Sequence, residues 1–179
     1  MKTKTIKIAS FVFVLFVAGC ASQNKTVTEE TKKVYMQNVY TSLINEMSND
    51  AEVAIVEDSI KVIFTTGILF KVNETVIVKE LYPCFKRFAK VLNKYENTKI
   101  LITGHTDNTG DEKTNIELSQ KRADSAKKLL KEFNVGESRM FTLGHGSAIP
   151  AFNNNTASER SKNRRVEFII LYNYKTTKK

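Results

Sequence analysis

Apolar residues along this chain fall into blocks with two different periods. Tyr35, Val39 and Leu43, with Met36, Tyr40 and Met47, recur at helical spacing, so Val34 to Met47 has the pattern of a short helix; a partly ordered linker is the open alternative. Val53 to Val56 and Ile60 to Thr65 are rich in β-branched residues, are split by Glu57-Asp58-Ser59, and read as two strands. Leu81, Phe85, Phe88 and Leu92 return to the helical period, with Pro83 in the first turn, where its missing N–H costs little, and an end expected by Tyr95. Ile100 to Ile102 make a short buried strand, Gly104 to Gly110 a polar turn, and Asp111 to Val135, which holds no Gly or Pro, a second helix. Arg139 to Leu143 and Arg165 to Leu171 are further strands, the latter with Val166, Phe168 and Ile170 on one face. Between them residues 153–163 form a polar loop with room for one helical turn. The order implies an α/β (α+β) fold: a mixed sheet with helices packed on one face. No internal repeat is visible.

The stretch from Ile100 to Arg122 holds the densest chemistry. A strand feeds a helix through a loop that presents Thr106, Asp107 and Asn108. With the helix starting near Asp111, Arg122 lies about three turns in, on the face shared with Asn115, Leu118 and Ser119. An anion on the loop and a cation on that face make a receptor for a zwitterion, such as an amino acid head group. The alternative is that Asp107 and Arg122 pair with each other and fix the loop.

Thr103-Gly-His-Thr-Asp-Asn-Thr-Gly110, then Asn115, Leu118-Ser119 and Arg122-Ala123, then Gly144-His-Gly146, Pro150 and Asn163-Arg-Arg-Val-Glu167, resemble the OmpA-like peptidoglycan-binding domain. Pal lipoproteins and the C-terminal domains of OmpA and motor-stator proteins are similar to it. The resemblance runs from about Val62 to Leu171 and implies the OmpA-like β/α sandwich. It also implies a non-enzymatic role, noncovalent binding of the diaminopimelate of the peptidoglycan stem peptide. Asp107 matches the family aspartate that takes the ligand's ammonium, and Arg122 the arginine that forks onto its carboxylate, a role that suits a planar guanidinium. Thr106, Asn115 and backbone N–H groups would add polar contacts, and Phe70 and Asn73 fit the family's aromatic and its following Asn. Of Arg164 and Arg165, one is expected to face the pocket and the other solvent or a carboxylate such as Glu167; Arg165 is grouped with the site. Lys71 stands where the family carries Asp, which adds a cation near the expected pocket and departs from any ligand contact made there.

The first nineteen residues read as a signal peptide: Lys2, Lys4 and Lys7 precede the apolar run Ile8 to Ala18, which is too short for a confident membrane span. Val17-Ala-Gly-Cys20 resembles the lipobox of bacterial lipoproteins, in which cleavage leaves an acylated cysteine as the new first residue; an ordinary signal peptide containing a Cys is the alternative. Buried acyl chains, at roughly 0.8 kcal/mol per methylene, would anchor it firmly. Ala21 in place of Asp implies, by the same resemblance, the outer membrane. With no acidic cluster after Cys20, the domain is expected to face the periplasm. Residues 20–51 are then a lipidated N-terminus and tether, polar from 21 to 33 and able to reach at most on the order of 100 Å from Cys20 to Glu52. Residues 52–173 form the domain, and 174–179 a basic tail. With Cys20 lipidated, Cys84 has no intrachain partner and reads as a small buried thiol among Leu81, Phe85 and Phe88.

Composition narrows the function classes. With 179 residues and 41% apolar content the chain can build one domain with an ordinary core. The formal charge of +9 includes the three leader lysines, so the mature chain carries +6. No aromatic-interleaved basic motif accompanies it, which excludes nucleic acid as a target, whereas a positive domain suits an anionic wall with free carboxylates. His105, Asp107 and His145 form a sparse metal-ligand set, the basis for an alternative reading as a periplasmic metal hydrolase. Gly144-His-Gly-Ser147 is not a nucleophile elbow, and neither metal nor cofactor is expected. Peptidoglycan, outer-membrane lipid through acylated Cys20, and Tol-type or other envelope proteins are the expected partners. An OmpA-like scaffold turned to an envelope protein is the remaining alternative.

Overall fold

The computed structural model describes residues 28–64, 69–71 and 74–173. The leader, Cys20, residues 21–27 of the tether, Asn73 and the basic tail lie outside the described residues.

Helix α1 spans Glu29–Met47 and begins earlier than the hydrophobic pattern suggests. Thr28 caps it, its hydroxyl accepting from the Thr31 N–H at 3.2 Å, and Glu29 and Glu30 in the first turn complement the helix dipole. Met36, Val39, Leu43 and Met47 form a buried stripe that belongs to the main hydrophobic core. The expected domain start at residue 52 is therefore too late, and Glu29 to Lys33 are helix rather than tether. The physical reason is that the stripe is buried against α2 and the first hairpin.

That hairpin is β1 (Ala51–Val56) and β2 (Ser59–Phe64), antiparallel and closed by Glu57 and Asp58, with Glu57 at φ +51°. Helix α2 (Tyr82–Lys94) carries its proline at the start, as expected, and β3 (Thr98–Gly104) follows. Helix α3 spans Glu112–Glu132, β4 Met140–Gly144, the short α4 Ala157–Asn163, and β5 Val166–Tyr172. The polar stretch thus holds two helical turns, secured by a capping box between Thr156 and Glu159. Strand order is β1-β2-β5-β3-β4, with β3 and β4 parallel and the other neighbours antiparallel.

Helices α1, α2 and α3 cover one face of this mixed sheet. Ile60, Val62 and Phe64 of β2, Phe168 and Ile170 of β5, and Ile100 and Ile102 of β3 are buried beneath them. Phe64 stacks on Phe85 at 4.6 Å between ring centroids, and Phe88 meets Phe168 edge-on at 5.1 Å. Arg139 fastens α2 to β3, donating to the carbonyls of Leu92, Tyr95 and Thr98. Cys84 is buried as expected, and its thiol donates to Asp50 at 3.3 Å.

Two glycines decide where α3 lies. Gly104 and Gly144 are paired at the ends of β3 and β4. A Cβ on Gly104 would stand 2.0 Å from the Ser119 carbonyl oxygen, and one on Gly144 2.5 Å from the Gln120 nitrogen. Only glycine lets α3 cross the strand ends this closely, and the crossing carries Asn115, Ser119 and Arg122 to the end of the sheet.

Candidate functional site

The loop from His105 to Asp111 is held at both ends by backbone bonds. His105 N–H donates to Arg165 O at 2.9 Å, and Thr106 N–H to Gly146 O at 2.9 Å. Asp111 caps α3 by accepting from Thr114 N–H at 2.9 Å. Between these anchors Asp107 is buried, and three donors reach its carboxylate. Thr109 N–H bonds Oδ1 at 3.0 Å, the Thr109 hydroxyl bonds the same oxygen, and Arg164 Nη1 bonds Oδ2 at 2.7 Å. Burial alone would raise the Asp107 pKa, but the Thr109 and Arg164 hydrogen bonds outweigh it and hold the carboxyl below its ordinary value.

Arg122 behaves differently. It is 3% exposed, yet among the described residues no carboxylate lies within ion-pair distance of it. Its Nε donates to Glu74 O at 3.1 Å, and its guanidinium lies 5.1 Å from the centre of the Phe70 ring. Burial, then repulsion from Arg164, lowers its pKa, with Asp107 opposing. An arginine stays protonated under such a shift, so this is a buried cation with a cation–π face and, among the described residues, no carboxylate within ion-pair distance.

Arg122, Arg164 and Arg165 line one cleft of about 580 Å³, together with Phe64, Leu69, Phe70, Phe152 and Glu167. The two adjacent arginines both line the cleft but have different partners. Arg164 turns to Asp107, while Arg165, buried, donates from Nε to Glu167 Oε1 at 2.7 Å. Arg165 thus lines the cleft with its charge already neutralised, and Arg164, not singled out from the sequence, is the one that meets the loop carboxylate.

Of two expected contacts, Asn115 has an internal partner, whereas the buried Thr106 hydroxyl has none among the described residues. Asn115 donates from Nδ2 to Thr109 O at 2.9 Å, bracing the loop; neither it nor Asp107 lines the cleft, which Asp107 meets through Arg164. Thr106 is 3% exposed, with a hydroxyl buried away from the cleft. Lys71 is exposed at the surface. Asn163, part of the resembling motif but given no role from the sequence, is fully buried. Its Oδ1 accepts from Ala151 N–H at 2.9 Å and Phe152 N–H at 3.0 Å, and its Nδ2 donates to Phe152 O at 2.8 Å. It fixes the loop opposite Asp107, and Asn154 on that loop accepts from Asn108 N–H at 3.3 Å.

The histidines stack on each other, ring centroids 5.2 Å apart. His105 is buried, 3.3 Å from Thr103 Oγ1 through Nε2. Burial, then the charge of Arg165, pulls its pKa down to about 4, so it is neutral at neutral pH. Among the described residues no cluster of three His, Cys, Asp or Glu side chains is placed to hold a metal ion.

The description "OmpA family" matches residues 69–164. The chain belongs to the OmpA family. A peptidoglycan-associated lipoprotein of Buchnera aphidicola subsp. Baizongia pistaciae is 31% identical over 175 residues, 96% of this chain and 99% of that protein. Outer membrane porin F of Pseudomonas fluorescens is 36% identical over 98 residues, 55% of this chain and 30% of the porin, so the chain spans less than a third of that relative's length. Among solved structures, a MotB-like protein of Desulfovibrio vulgaris superposes with a TM-score of 0.69 at 19% identity, covering 83% of this chain and 96% of that one. The peptidoglycan-associated lipoprotein of Burkholderia pseudomallei gives a TM-score of 0.55 at 24% identity over 57% of this chain and 87% of its own. Both share the OmpA-family fold described above.

Proposed function

We propose that this OmpA-family chain is a non-enzymatic tether that grips peptidoglycan through the diaminopimelate of its stem peptide. The observation that carries the reading is Arg122: a buried guanidinium, open to the cleft, without a carboxylate of its own. A buried charge is ordinarily paired, and an exogenous carboxylate accepting two parallel N–H bonds supplies the missing partner. Asp107 then takes the neighbouring ammonium. A carboxylate has about four lone-pair sites. Thr109 and Arg164 supply three donors to them, which leaves one for the ligand. Phe70 gives the ligand's methylene chain an apolar wall. Asn115 and Thr106 act by holding the loop rather than by touching the ligand.

The relatives named peptidoglycan-associated lipoproteins support the same reading, one of them along nearly the whole chain. On this reading an acylated Cys20 holds the outer membrane, the following residues span the gap, and the folded body faces the periplasm. Co-sedimentation of the full chain with purified sacculi tests it. Wild type is expected in the pellet, and Arg122→Ala, with an unchanged circular dichroism spectrum, in the supernatant. Equal sedimentation of both would overturn the role of Arg122.

A further inference from the structure

We propose, resting on the wall-binding reading, that the outer part of the same cleft is a second anion subsite, which takes a further free carboxylate of the stem peptide. The cleft's charge does not balance for a zwitterion alone. Five cations line it, Lys61, Arg122, Lys162, Arg164 and Arg165, against two acids, Glu52 and Glu167. Arg165 and Glu167 neutralise each other, and Asp107 answers Arg164. A zwitterionic end group on Asp107 and Arg122 adds no net charge. Lys61 and Lys162 therefore remain, with Glu52 the sole other acid among the residues that line the cleft.

Their placement suits a ligand that continues past its end group. Lys61 projects from the open face of β2 and reaches Glu167 Oε2 only at 4.0 Å. Lys162 meets no acid among the described residues; its ammonium lies 4.8 Å from the centre of the half-exposed Phe152 ring. The Phe152 ring, with Lys162 against it and Lys61 lining the same cleft, offers apolar contact to a peptide backbone and charge to a carboxylate beside it. The volume, about 580 Å³, is that of a site for a drug-sized molecule rather than one amino-acid end. Where the second carboxyl of diaminopimelate is taken up in the peptide bond to the next residue, the nearest free carboxylate is that of the D-glutamyl residue preceding diaminopimelate. The chain therefore distinguishes stem peptides with that acid free from those in which it is amidated.

Calorimetric titration of the full chain, purified in detergent, decides it with two synthetic probes. One is L-Ala-γ-D-Glu-meso-diaminopimelate amidated at the carboxyl of the peptide-linked diaminopimelate carbon, the other the same tripeptide amidated at the glutamyl carboxyl as well, with an identical zwitterionic end. Wild type is expected to prefer the free acid by about fivefold. That preference should shrink in a Lys61→Gln/Lys162→Gln double variant and, for wild type, as salt is raised. Equal affinities for the two probes, or a preference unchanged in the double variant, would overturn the subsite while leaving the wall-binding reading intact. Failure of wild type to bind either probe would instead overturn the reading on which it rests.

Discussion

Arg164 donates to Asp107 across 2.7 Å, while Arg122, three turns into the helix that the Asp107 loop leads into, reaches no carboxylate among the described residues. The two cations therefore have unequal roles. Arg164 braces the loop, and on the proposed reading Arg122 takes the carboxylate of the ligand. Binding and stability should separate accordingly.

Arg122→Ala removes a buried uncompensated cation and one hydrogen bond, to Glu74 O. It should abolish wall binding with little loss of stability. Asp107→Ala removes the acceptor for Thr109 and Arg164 and should cost about 1–3 kcal/mol of stability as well as binding. Thermal unfolding alongside co-sedimentation checks both. Unfolding of the Arg122 variant would mean that this arginine is a structural brace.

Removal of residues 1–51 should unfold the body or destabilise it severely, because Val39, Leu43 and Met47 leave the core with α1. The milder Leu43→Ala should cost about 2–5 kcal/mol. Denaturant unfolding of the two variants measures this, and an unchanged midpoint would show α1 to be dispensable.

Gly104→Ala places a methyl against the Ser119 carbonyl and should push α3 outward, costing about 1–3 kcal/mol or more. A lower melting temperature together with weakened wall binding is the expected pair of effects, since α3 carries Arg122.

Acid should weaken the fold through His105. Its folded pKa of about 4 lies below the ordinary 6.5, so below pH 6.5 the unfolded chain binds more protons than the folded one. Stability from this group is full above pH 6.5 and is lost as the pH falls toward about 4, where charging the ring sets it beside Arg165. Unfolding free energy measured across that window should fall for wild type and fall less steeply for His105→Gln. Equal slopes would remove His105 as the cause.

The strand–loop–helix from β3 to α3 was legible because its signals are local: an apolar run, glycines at the turn, Asp111 as a cap and an uninterrupted helix. The beginning of α1 was not. Glu29 to Lys33 carry no apolar residue, and the helix there is supported by Thr28 and by the Lys32 ammonium 2.6 Å from Asp58, a contact with a distant hairpin. The division of labour between Arg164 and Arg165 follows from strand geometry. Arg165 stands two residues from Glu167, so both fall on one side of the extended chain, and Arg164 points the other way, to the loop. Adjacent identical residues give no such cue before the strand's start is known. The role of Asn163 was not legible for a related reason: its partners at Ala151 and Phe152 are backbone groups, which no side-chain pattern announces.

The central claim is that Arg122 and Asp107 together hold a carboxylate and an ammonium on one carbon. Co-sedimentation of the full chain with sacculi of two kinds tests it most directly. Diaminopimelate-type walls carry that zwitterionic end, whereas lysine-type walls offer an ammonium with no carboxylate beside it. The chain should pellet with the first and stay in solution with the second, and free diaminopimelate should release it. Equal sedimentation with both walls, or with neither, would contradict the account.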